Sequence, residues 1–403
     1  MNNPDPLTPT PASHLEALAK PIQVRRAIWA TRLQFAALGL FGGAWGVHIP
    51  SIKAQYQLGE AALSGVLMAA ALGAVLSLLV AGRVIAHLGA RGAAAWSALA
   101  MGCLLAAVLH WPSLTLLLLT NVLFGACMSL LDVAINTEGS ALEAVGGRAI
   151  MGNLHGNFSL GGMLGAALTG ALIRADVAAS WQLGAMGAGF ALWVTLASRW
   201  MLATHPDNDN NGESDMPLAH FVWPKGVLLL IGLLAFAGMT AEGAMYDWSV
   251  LYLKQEVHMT QDHAAMGYAA FSGAMAVMRF TGDALRMRVA ERTILRIGGM
   301  TTAFAMAAVL ITGNPWVAIA GYALVGAGLA QVVPILYNAA TRVPGNSRAA
   351  AIASISSIGY AGFMIGPPLI GGIAQAVSLT AALSFVVAGA SLLAWGARFV
   401  PAR

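Results

Sequence analysis

The chain has 403 residues, of which 58% are hydrophobic and only 9% charged, with a formal net charge of +4. A soluble domain carries about 25% charged residues, so this composition excludes one, and nothing in so small a positive charge points to nucleic acid. The two cysteines, Cys103 and Cys127, each fall in an apolar run, which excludes a disulfide framework and a metal-ligand spacing.

Residues 1–26 begin "MNNPDPLTPTPASHLEALAK", polar and Pro-rich, and read as a disordered cytoplasmic tail, not a cleavable signal. Apolar runs of bilayer-crossing length then recur to the end of the chain. Twelve spans are expected, at 27–50, 61–81, 93–110, 113–137, 149–173, 178–201, 225–251, 262–284, 293–312, 315–339, 349–374 and 378–398. Inside lipid only helices and closed barrels satisfy their own backbone. No two-residue alternation appears, so the class is an all-α membrane protein. "THPDNDNNGESDMPLAH" interrupts the series after the sixth span, giving six-helix bundles at 27–202 and 225–403 joined by a cytoplasmic linker at 203–224.

Lysine and arginine sort onto one side. Sixteen fall at the loops and termini of that side, while only Lys53, Arg174 and Lys254 reach the other. By the positive-inside rule both termini are expected to be cytoplasmic. Arg32, about two turns into the first span, is expected to snorkel to the cytoplasm; pairing with Asp132 is the other option.

The two bundles repeat one another. Gly125-Ala126 matches Gly326-Ala327, Gly42 matches Gly243, and Lys53 matches Lys254, each 201 residues apart. Gly82 and Gly282, Arg148 and Arg348, and Gly162 and Gly362 lie 200 apart. Parallel six-helix repeats of this kind enclose a site near the midplane in major facilitator transporters.

Four stretches carry a closer likeness: "DVAINTEG" (132–139), "HGNFSLGG" (155–162), "AEGAMYDW" (241–248) and "GPPLIGG" (366–372). On these the chain resembles the major facilitator superfamily over nearly its full length. More closely, it is similar to bacterial inner-membrane proteins of the YbjJ and MosC type, relatives of fucose permease, which implies a place in the inner (plasma) membrane. Fucose permease has an acid-x-x-x-Asn in its fourth span where this chain has Asp132 and Asn136, and the resemblance therefore implies proton coupling. Two departures stand out. The superfamily's loop motif after span two appears as "GRVIAHLGAR" (82–91), with Gly82, Gly89 and Arg91 in place but Ala86 where an Asp is usual. The Gly-Pro of the antiporter signature, expected in span five, is found in span eleven instead.

An ionised Asp at the centre of a membrane helix costs about 2.5–3.5 kcal/mol, so Asp132 needs a reason. Gly125, Ser129, Asp132 and Asn136 share one helix face. Either that face meets a water-filled cavity, with Asp132 and Asn136 serving proton coupling, or Asp132 marks the helix end. His155 lies at matched depth across the turn to span five and is expected to exchange a proton with Asp132; packing against Asn153 or Asn157 is the alternative. Glu242 and Tyr246 form a second polar stripe, which the repeat carries onto Phe41, Trp45 and His48 of span one. An acidic wall facing an aromatic one suits a sugar or cyclitol, and also a small organic cation. Arg279 and Asp283, an i,i+4 pair, and Arg91 are the candidate gate. Pro334, Pro367 and Pro368 are expected to break spans ten and eleven.

The leading expectation is a secondary active transporter of a small polar organic solute, proton-coupled and working by alternating access. A drug or metabolite efflux antiporter, or a sensor on the same scaffold, stays open. No Gly-x-x-x-x-Gly-Lys-[Ser/Thr], His-Glu-x-x-His or catalytic cysteine occurs, so neither ATP-driven transport nor an enzyme is expected. No cofactor is called for, and a monomer in the lipid bilayer is expected.

Overall fold

Apolar runs fold as helices throughout the computed structural model, which describes residues 21–202, 224–344 and 348–401; no strand occurs among them. The tail before residue 21 and the linker at 203–223 lie outside the described residues. Spans one, four, five and six are Pro21–Gln55, Leu114–Gly146, Met151–Arg174 and Ala179–Ser198. Spans seven, eight and nine are Val227–Gln255, Gln261–Arg288 and Glu291–Thr312, and spans eleven and twelve are Arg348–Ala376 and Leu379–Gly396.

Spans two and three form one 48-residue run, Glu60–Ala107. The turn expected between them shrinks to Gly89, at φ 70° and ψ 161°. That backbone region is open to glycine almost alone, so one residue separates two helices. Span ten is broken as expected, into Pro315–Leu329 and Val332–Ala340. Pro334 lacks an N–H and its ring crowds the carbonyl four residues back, Ala330, where the first piece stops. Span eleven differs from expectation: Pro367 and Pro368 sit inside a continuous helix.

Glycine sets the helix crossings, and the repeat sets them twice. Gly161 of span five lies against the Ala36 carbonyl of span one, and Gly362 of span eleven against the Phe236 carbonyl of span seven. Gly125 meets the Ala70 carbonyl between spans four and two, and Gly326 the Phe271 carbonyl between spans ten and eight. Without a hydrophobic force between helices in lipid, such close backbone approach supplies the association energy. Between the halves, span five packs on span eight, span two on span eleven and span one on span seven.

Exposed tryptophans gather at both ends, Trp181 and Trp316 at the end poor in cations, Trp29, Trp200 and Trp395 at the basic end, as aromatic belts do. Arg32 lies over the Trp29 ring at 5.0 Å, the snorkelling arrangement. At the cation-poor end the halves are clasped reciprocally. Gln255 reaches Glu60 at 3.5 Å, while Gln261 donates to the Val47 carbonyl at 2.8 Å and to Ser51 at 2.9 Å. Arg174 and Asp262 add an ion pair at 3.1 Å.

Candidate functional site

Asp132 lies well inside its helix. Span four runs on to Gly146, about 21 Å further at 1.5 Å per residue, so Asp132 does not stand at the end of the helix itself. The side chain is half-buried. Asn136 Nδ2 donates to its Oδ1 at 3.0 Å and to its backbone carbonyl at 2.8 Å. Among the described residues Asp132 has no cationic partner and no other hydrogen bond. Tyr360 of span eleven, in the other half, lies within electrostatic range of it.

His155 does not join it. Its ring stands edge-on to Phe35 at 5.3 Å. Depth arithmetic places the two residues at one level but says nothing about direction around the helix axis. Span five leans on spans one and eight and barely touches span four, which corrects the expected Asp132–His155 pair.

A second cluster forms where spans five, seven and eight meet. Glu242 Oε1 accepts from Tyr246 Oη at 3.0 Å and from Arg279 Nη2 at 3.0 Å. Arg279 Nη1 donates to Ser159 Oγ at 2.8 Å, so the guanidinium bridges the C-terminal half to the N-terminal one. Ser159 in turn donates to the His155 carbonyl at 3.3 Å. The Glu242–Tyr246 stripe is thus realised. The expected Arg279–Asp283 pair is not: Asp283 pairs with Arg286. Burial explains the choice. The Asp283 side chain is 61% exposed and needs no partner, whereas that of Glu242 is 9% exposed and would be costly without one.

The aromatic wall also needs correction. Phe41 is buried, stacked on Phe124 at 5.4 Å and packed on Phe190 at 4.7 Å. His48 is buried too, bonded to Ser51 Oγ and Gln182 Oε1, each at 3.2 Å. These two residues face spans four and six inside their own bundle. Trp45 is half-buried and stacks on Phe124 at 5.2 Å. Span one approaches the other half through Gly46, which lies against the Tyr246 carbonyl and the Tyr268 ring.

Arg91 is a tether. Its Nε and Nη2 both donate to the Met201 carbonyl past the end of span six. Arg292, 201 residues on, donates likewise to the Val400 carbonyl past span twelve. Ser159 and Tyr360 escaped sequence reasoning, although the repeat offered a signal. They too are 201 residues apart; Ser159 bonds the charged group of the opposite half, and Tyr360 lies in electrostatic range of one. The potential ligand groups of the cluster are carboxylate, guanidinium, hydroxyl and aromatic; no group of three or more His, Cys, Asp or Glu suited to a metal occurs among the described residues.

The family model described as Major Facilitator Superfamily matches residues 33–347. An uncharacterized MFS-type transporter of Yersinia pestis is 35% identical over 364 residues, covering 89% of this chain and 91% of the relative. Membrane protein MosC of Rhizobium meliloti is 32% identical over 372 residues, covering 92% and 89%. Among solved structures, the nucleoside transporter NupG superposes with a TM-score of 0.70 at 13% identity, covering 94% of this chain and 98% of its own. A point variant of the E. coli fucose:proton symporter FucP gives 0.61 at 18% identity, covering 94% and 100%. At such identities the structures speak for the fold alone. The chain belongs to the major facilitator superfamily. It is a multi-pass membrane transporter, not an enzyme, in a family whose cargoes are small molecules.

Proposed function

We propose that this transporter moves a small polar organic solute, sugar- or cyclitol-like, by proton-coupled alternating access. The observation that carries the reading is Asp132: a carboxylate inside a span, held among the described residues only by Asn136, with Tyr360 of the other half in electrostatic range. Charged, it is costly at that depth unless something compensates it. A proton removes most of that cost, and so does a bound substrate that donates hydrogen bonds. Reorientation then proceeds from the protonated or the substrate-loaded form and is blocked in the bare charged one.

The half-buried Trp45 and Tyr246 offer ring faces to a hydroxylated ring, and Asp132 and Asn136 offer polar contacts. Two solved neighbours of the same fold are themselves named for a nucleoside and for fucose, both ring-bearing solutes. The reciprocal clasp at the cation-poor end is the gate that opens, and the Arg279–Ser159 bridge is the pivot between halves. Gate duties leave Asp283 and Arg91: the former is paired in water, the latter serves its own bundle. The halves divide at the 203–224 linker, both termini are cytoplasmic, and the unit is a monomer. Proteoliposomes loaded with a pH-sensitive dye test the reading: adding a transported sugar or cyclitol acidifies the lumen. A substrate that binds and crosses without proton movement refutes the coupling.

A further inference from the structure

On the lipid-facing surface a furrow of about 440 Å³ runs between spans nine and twelve. Arg296, Met300, Ala303 and Ala307 line one bank, Ser391 and Trp395 the other. Each set recurs at three- or four-residue steps, so each is one continuous helix stripe. From Arg296 to Ala307 the furrow extends about 16 Å at 1.5 Å per residue. It is apolar along its length, floored by small side chains, and ends in a cation.

That cation is unspent. Arg296 is exposed and has no ion pair or hydrogen bond among the described residues. The neighbouring acid, Glu291, is buried and engaged by Arg342 at 2.7 Å and Asn338 at 3.1 Å. A second guanidinium, Arg398, lies over the Trp395 ring at 4.6 Å on the opposite bank. Two cations flanking the mouth of an apolar channel, at the basic end of a membrane protein, match a ligand with an anionic head and a long apolar tail.

We propose that the furrow binds an anionic phospholipid, its acyl chain along Met300 to Ala307 and its phosphate between Arg296 and Arg398. The site is remote from Asp132 and independent of the transport reading. A lipid held there rivets span nine to span twelve, reinforcing the close approach of Gly299 to Ala390 and Ala394.

Native mass spectrometry of the full chain in detergent tests this, titrating phosphatidylglycerol against phosphatidylcholine of the same chain length. Phosphatidylglycerol binds more tightly, and Arg296→Gln weakens it about fivefold, the effect of one surface cation on an anionic lipid. Arg83→Gln, an exposed arginine in the other half, leaves binding unchanged. Ala307→Phe weakens the long-chain lipid but not its dihexanoyl form, which has the head without the tail. Equal binding of the two lipids, or full affinity in Arg296→Gln, overturns the proposal. So does a dimer that lipid fails to dissociate and Ala307→Phe does.

Discussion

Glu242 and Asp132 are both carboxylates inside membrane spans, yet their surroundings differ in kind. Glu242 is buried and met by a guanidinium, a phenol and, through Arg279, a serine of the other half. Asp132 is half-buried and met by one amide on its own helix. Of the repeat-related pair, Ser159 bonds within the paired site and Tyr360 lies in electrostatic range of the unpaired one. A compensated charge holds two halves together, while an uncompensated one is free to change state. The first arrangement is architecture and the second is available for coupling.

The sharpest way to break this contrast is to leave Glu242 alone. Arg279→Gln removes its cation, and losing one partner of a buried pair costs about 3–5 kcal/mol. A large fall in thermal stability in detergent is expected, largely restored in the double variant Glu242→Gln/Arg279→Gln. If Arg279→Gln is as stable as the parent, the paired site is not architecture. Ser159→Ala takes away the second acceptor of Arg279. A hydrogen bond to a charged group contributes about 1.5–3 kcal/mol, so the same assay should register a smaller loss in that range.

The spans, their number and the basic bias were legible because the bilayer imposes length and charge sidedness on any chain. The Glu242–Tyr246 bond was legible because i,i+4 spacing lies within one helix. Contacts between helices were not. The i,i+4 spacing points Arg279 to Asp283 on its own helix, whereas its partner, Glu242, sits on span seven. His155 was matched in depth to Asp132 although span five turns away from span four. On span one the face chosen through the repeat, Phe41 and His48, was the inward face of the bundle. Gly42 and Gly46, interleaved with it, marked the face that meets the other half: Gly46 lies against the Tyr246 carbonyl. Small residues where helices approach were a better guide to the interface than aromatic ones.

Trp45 sharpens the contrast on the substrate side. With its face half-open, Trp45→Ala should weaken binding of a transported sugar or cyclitol about three- to tenfold by isothermal titration, while Phe41→Leu, a change in the packed core, leaves affinity alone. Equal losses from both would place the site elsewhere. The smallest effect on folding belongs to Tyr360→Phe. Tyr360 lies in electrostatic range of Asp132 with no hydrogen bond between the two, so stability should stay within about 0.5 kcal/mol while the pH profile of uptake changes. An unchanged profile would remove Tyr360 from the coupling site.

Coupling through Asp132 is tested most directly by separating exchange from accumulation in one variant. Asp132→Asn is permanently neutral and keeps the shape of the protonated side chain. In proteoliposomes, counterflow of labelled substrate should persist at near-parental rates, and accumulation driven by an imposed proton gradient should vanish. Concentrative uptake by Asp132→Asn would contradict the coupling role and return Asp132 to the status of a solvated charge in a transporter powered elsewhere.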